Sequence, residues 1–221
     1  PVGAEGLAQS ESGPTGFEAF KALFQLDRPK RTDFTVADFA AELRKDAVQA
    51  VGRDKETATI VDAVHRHDQG VLWISGAAGT GKSFLVAKAL AEILDRGPSE
   101  QTLVLAYRFR ASDQARCSRE ALATFLEERL KAAGAIAPGE EQDRGEDAAK
   151  RIDNCLARLK AGWNAVVLLD GLDEIARSDA KFAEEIPLGI RPPNVLWVCS
   201  GRPESGLAKA MSSLGALALF P

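Results

Sequence analysis

The stretch that most limits what this chain can become is VLWISGAAGTGKSFLVAKALAEILDR, residues 71–96, where an apolar run passes through a glycine-rich loop straight into a helix pattern. VLWIS shows no polar alternation, so it reads as a strand covered on both faces. SFLVAKALAEILDR reads as a helix, and Gly97 and Pro98 are apt residues to end it. The same grammar recurs. TLVLAYRF (102–109), NAVVLLD (164–170), NVLWVCS (194–200) and ALALF (216–220) are apolar nearly throughout. They alternate with helix patterns at GRDKETATIVDAVHRH, from about Ser118 to Ala133, and at AAKRIDNCLARLKAG. Buried strands alternating with helices predict an α/β fold, with a mostly parallel five-stranded sheet sandwiched by helices.

With 221 residues, 45% hydrophobic and 27% charged, the chain can bury one ordinary core. Residues 1–16, rich in Gly, Ser, Pro and Ala, read as a flexible lead-in. FEAFKALFQL and TVADFAAELRKDAVQAV, the latter with Thr35 as a possible cap, predict a helical adaptor over 17–48, leaving 49–221 as the main domain. The chain begins at Pro1 and stops at Pro221 directly after a strand pattern, so it reads as a segment of a longer protein.

A formal charge of −4 gives no basic footprint, and no direct nucleic-acid partner is expected. Cys117, Cys155 and Cys199 are odd in number and form no CxxC pair, which fits a reducing, cytoplasmic setting. No apolar stretch approaches the roughly eighteen residues that span a bilayer, so no membrane role is expected. His65 and His67 have no Cys or acid at ligand spacing, and Trp73, Trp163 and Trp197 lie in or beside strands as packing residues.

GAAGTGKS (76–83) matches G-x-x-x-x-G-K-[ST] in the context its chemistry demands, between a strand and a helix. Glycines let the backbone approach an anion closely, so that N–H groups of Gly79 to Ser83 can point inward at phosphates. The helix start adds its own attraction for negative charge. Nucleotide contact is therefore expected from Gly76, Ala77, Ala78, Gly79, Thr80, Gly81, Lys82, Ser83 and Phe84. Lys82 is the mobile cation for the β- and γ-phosphates, and Ser83 is a Mg²⁺ ligand. The plainer alternative is a glycine-rich turn with a chance lysine.

VVLLDGLDE ends a buried strand on Asp170 and adds Asp173 and Glu174 within one turn. The carboxyl end of a central parallel strand is where such sheets bind ligands, so Asp170 is expected to hold Mg²⁺ opposite Ser83. Asp173 and Glu174 are candidate catalytic acids, Glu174 as the group that orients or activates a water. Acids in this place also simply cap helices.

Together these segments resemble the NACHT branch of the STAND class of P-loop ATPases, over about residues 50–221. The Walker B form LLDGLDE is the most specific likeness. AVGRDKE (50–56) is similar to that family's entry motif, and VCSGRPE (198–204) to its sensor segment, with Gly201 where Ser is usual. YRFRASDQARCSREAL (107–122) resembles its strand and loop after the first helix. The resemblance implies that Arg53 binds nucleotide and that Arg202 faces the γ-phosphate. It also implies an ATP- and Mg²⁺-dependent switch of low turnover in a larger signalling or defence protein. Such a switch would control oligomerisation or effector release, partnered by effector and sensor domains of the same longer chain, with this segment alone mainly monomeric. GTP is disfavoured because no N-K-x-D segment occurs. A metabolic phosphotransferase and a non-hydrolysing nucleotide scaffold are the competing readings.

Overall fold

NAVVLLD forms β3 (Asn164–Asp170), and six of its seven residues are buried, which requires a layer of structure on each face. The computed structural model describes residues 39–66, 69–97, 101–137, 147–190, 192–203, 209, 211 and 217–219. In it β3 lies between β2 (Thr102–Arg108) and β4 (Val195–Gly201). β1 (Gly70–Ser75) follows β4, and the three-residue β5 (Leu217–Leu219) closes the far edge. The sheet order is thus β2-β3-β4-β1-β5, and every pair is parallel. Register sets the strand ends level. Arg108 pairs with Asp170, and Ser75 with Gly201, so the carboxyl ends of four strands form one rim.

Successive side chains of a strand point to opposite faces, and the two cores follow that alternation. On one face Leu72, Ile74, Val166, Leu168, Leu196 and Val198 pack against α1 (Phe39–Gln49), α2 (Asp54–His65) and α3 (Lys82–Arg96). On the other, Trp73, Val167, Leu169, Trp197 and Cys199 pack against α4 (Arg119–Ala132), α5 (Ala148–Ala157) and α7 (Ala180–Gly189). The short α6 (Leu172–Ala176) follows β3 directly. All three tryptophans lie in or against the core. The three cysteines are free. No helix among the described residues is long and apolar enough to cross a membrane.

Three expectations need correction. The boundary at 48/49 runs through α1, whose Phe39 and Leu43 are buried in the two cores; α1 is part of the packed domain. All described residues fall in one compact unit. The helix predicted to reach Gly162 ends at Ala157, because Leu159 bridges back to Ile136 and the Lys160 N–H donates to the Ala135 carbonyl. The sequence pattern predicts no element between Glu174 and Asn194, yet α7 forms there around Pro187. Asp179 caps it by accepting from the Phe182 N–H, and Phe182, Ala183 and Ile186 are fully buried beneath it. That burial outweighs the breaker signal. The lead-in, the helix predicted from Phe17, Thr35 and His67 lie outside the described residues.

Candidate nucleotide-binding site

β1 delivers the chain to the rim at Ser75, and α3 leaves it at Lys82 with no side chain capping its first turn. The first N–H groups of α3 therefore face outward toward whatever sits before the helix, the arrangement that attracts phosphate. Ala77, Ala78 and Gly79 are exposed on the loop, and Ser83 and Phe84 are exposed beside them. Lys82 folds back on its own loop: its Nζ donates to the Gly76 carbonyl at 2.6 Å and the Ala77 carbonyl at 2.9 Å. Thr80 Oγ1 donates to the same Ala77 carbonyl at 2.9 Å. The lysine is held over the loop by bonds that a phosphate oxygen can replace.

Asp170 faces the loop from β3 and is only 2% exposed. Its Oδ1 accepts from Ser83 Oγ at 3.1 Å and from Ser200 Oγ at 2.7 Å, and its Oδ2 accepts from Arg108 Nε at 2.7 Å. Ser200 Oγ in turn accepts the Gly171 N–H at 3.0 Å. Ser83 and Asp170 are thus an adjacent all-oxygen donor pair, the chemistry that Mg²⁺ takes together with phosphate oxygens and water. Among the described residues no group of three or more His, Cys, Asp or Glu could hold a metal by itself. His65 is exposed at the end of α2.

The turn after Asp170 depends on Gly171. Its φ is 78°, and a Cβ there would stand 3.0 Å from the Phe109 carbonyl oxygen, so a side chain would be strained on both counts. This turn starts α6 at once and sets Asp173 and Glu174 beside Arg202 from the end of β4. Arg202 Nε lies 3.1 Å from Asp173 Oδ2, and its Nη2 lies 3.6 Å from Glu174 Oε1. Burial pushes the Asp173 carboxyl above its ordinary range and the Glu174 charge adds to this, while Arg202 and Lys82 oppose it. Glu174 Oε2 also accepts the Ala111 N–H at 3.2 Å.

Arg53 approaches from the other side. Gly52 and Arg53 are both left-handed, at φ 75° and 63°, and Arg53 Nη2 donates to the Thr80 carbonyl at 3.4 Å. Its Nη1 pairs with Glu56 at 3.3 Å. Lys88 on α3 ties this entry down by donating to the Gly52 carbonyl and to Asp54. The fold therefore brings Ser83 to Asp170, Arg202 to Asp173 and Glu174, and Arg53 to the loop.

Over residues 49–198 the sequence matches the family model of the AAA ATPase domain. The chain belongs to that family. No curated protein matches it. Its fold is similar to that of part of the Aeropyrum pernix ORC1 protein solved in complex with DNA, at TM-score 0.53 and 18% identity, covering 80% of this chain and 48% of that one. Drosophila ORC bound to DNA is similar at TM-score 0.48 and 17% identity, covering 94% of this chain and 55% of that one. The chain spans about half the length of either structure. The expectation of no nucleic-acid partner thus rests on the net charge of −4 alone.

In this AAA ATPase domain three site residues escape sequence reasoning: Arg108, Ser200 and Lys88. The first two carried a weak signal. Each is a polar residue at the carboxyl end of a largely apolar strand, level with Asp170, where ligands of parallel sheets bind. Lys88 carried none, being one of several polar residues on an amphipathic helix.

Proposed function

We propose that this AAA ATPase domain is a nucleotide switch of the NACHT type. It binds ATP with Mg²⁺ and hydrolyses it slowly, and the exchange of ATP for ADP alters how the domain engages the rest of a signalling or defence protein, through oligomerisation or effector release. The observation that carries this reading is the meeting of Arg202 with Asp173 and Glu174, within the electrostatic reach of Lys82. A cation held by two acids beside a phosphate loop has somewhere to go when a γ-phosphate arrives, and its movement reports the nucleotide state.

The roles follow from position. Arg53 and the 76–84 backbone hold the nucleotide, and Lys82 exchanges its carbonyl partners for phosphate oxygens. Ser83 and Asp170 would hold Mg²⁺, which when bound neutralises charge on the phosphates. Glu174 orients the water that attacks the γ-phosphorus, releasing phosphate and ADP.

Phosphate release by the chain and by its Glu174→Gln variant tests this. The expected result is turnover below about one per second, the low end of ordinary enzymes. The variant should lose that turnover about a hundredfold or more while still binding ATP. Turnover unchanged in Glu174→Gln, or phosphate passed to an added small-molecule acceptor in place of water, would overturn it.

A further inference from the structure

Arg108 is the last residue of β2, an otherwise apolar strand apart from its first residue, and is only 5% exposed. A buried guanidinium is costly unless every side of it is paired. Here its Nε donates to Asp170 Oδ2 at 2.7 Å, whereas its Nη2, 2.7 Å from Asp46 Oδ2, and its Nη1, 3.8 Å from Glu42 Oε2, face those carboxylates as ion pairs without hydrogen-bond geometry. Asp170 belongs to the candidate metal site, whereas Asp46 and Glu42 belong to α1, the helix that sequence patterning sets outside the main domain. Glu42 is anchored further by Arg116 at 2.7 Å and Arg110 at 3.2 Å, in the segment that follows β2.

We infer that Arg108 is a positioning residue for the Asp170 carboxylate, and that α1 holds it in position through Asp46 and Glu42. The inference rests on reading Asp170 as the acid that serves Mg²⁺. The guanidinium is planar with its donors in a fixed fork; the Nε–H bond to Asp170 and the ion pair with Asp46 orient it, and Glu42 at 3.8 Å adds attraction. Arg108 then holds Oδ2, while Ser83 and Ser200 hold Oδ1. With both oxygens engaged, the carboxylate cannot turn away from Ser83. The result is a relay of contacts, Asp46 to Arg108 to Asp170 to Ser83, from α1 to the phosphate loop. A displacement of α1 therefore reaches the nucleotide through the metal site, not through the base or the phosphates.

The test is ATP binding by the 221-residue chain, measured calorimetrically with Mg²⁺ and again with EDTA, the ratio of affinities being the metal-dependent gain. Arg108→Lys keeps a charge but loses the fork, and should lower the gain about tenfold or more, as loss of a partner behind a metal ligand does. Asp46→Asn, at a half-buried position, should lower it in the same direction by less, with the EDTA affinity at the wild-type value. Combining the two should do no more than Arg108→Lys alone, because both act through one contact. Lys45→Ala, on the same helix but outside the relay, should change nothing.

A wild-type gain retained in both Arg108→Lys and Asp46→Asn would overturn the inference, as would equal losses with and without Mg²⁺. Failure of the underlying reading shows separately, in the unmutated chain. Wild-type protein that binds ATP without any metal-dependent gain would remove Asp170 from the metal site and the relay with it.

Discussion

The Trp73 indole occupies the space in which a side chain at residue 201 would stand: a Cβ on Gly201 would fall 2.4 Å from Trp73 Cη2 and 3.2 Å from Cζ2. Trp73 sits on β1 opposite Cys199 of β4, two residues before Gly201, and its ring reaches along the sheet toward the rim. The glycine that stands where the resembling family has serine is therefore the counterpart of a large residue on the neighbouring strand. Arg202, the next residue, still reaches Asp173 at 3.1 Å.

Gly201→Ser should accordingly destabilise the domain by about 1–3 kcal/mol, the cost of overpacking against a rigid ring. Trp73→Phe in the same chain should recover part of that loss, because the smaller ring vacates the contact. The Trp73 Nε1 has no hydrogen-bond partner among the described residues, so that change sacrifices no hydrogen bond. Urea denaturation of both single variants and the double variant measures the coupling. Strictly additive losses would mean that the two residues do not compete for space.

Ser200 donates to Asp170 Oδ1 and accepts the Gly171 N–H, and is buried. Ser200→Ala leaves both groups short of a partner and should cost about 1–3 kcal/mol. Because Gly171 begins the turn that carries Asp173 and Glu174, phosphate release should also fall. A variant as stable as wild type in thermal unfolding would show that water replaces the hydroxyl without loss.

Glu42 predicts an acid-sensitive contact between α1 and the end of β2 with the segment that follows it. Burial pushes its carboxyl up, but Arg116, Arg110 and Arg108 together draw it below the ordinary value of 4.5. A carboxylate whose pKa is lower folded than unfolded stabilises the fold fully above its unfolded value, and that contribution is lost as pH falls through the folded value. Stability should thus decline as pH drops below about 4.5, and Glu42→Gln should flatten this limb while lowering stability at neutral pH. Identical pH profiles for the two proteins would contradict the pairing.

Much of this architecture is written locally. The strands are legible because their apolar runs need cover on both faces, and the phosphate loop because its eight residues are contiguous. Asp170, Asp173 and Glu174 are legible because they follow a buried strand without a gap. What escapes is whatever depends on sheet order. Arg108, Asp170 and Ser200 meet only because β3 lies between β2 and β4, which no periodicity states. The pattern around Leu43 announces a helix and an apolar face but not the core it enters, so α1 reads as an appendage. Pro187 hides α7, since a breaker in its last turn is visible locally while the burial of Phe182 and Ile186 is not.

The central claim is that the loop from Gly76 to Ser83 binds the phosphates of a nucleotide, with Lys82 as the cation that reaches them. Its direct test is a calorimetric titration of the chain with ATP and Mg²⁺, repeated with Lys82→Ala. In the structure the Lys82 ammonium donates to carbonyls of its own loop, so its removal should leave the fold, checked by circular dichroism, intact. Binding to the wild-type chain and none to the folded Lys82→Ala variant is the predicted result; equal affinity in the two proteins would contradict the account.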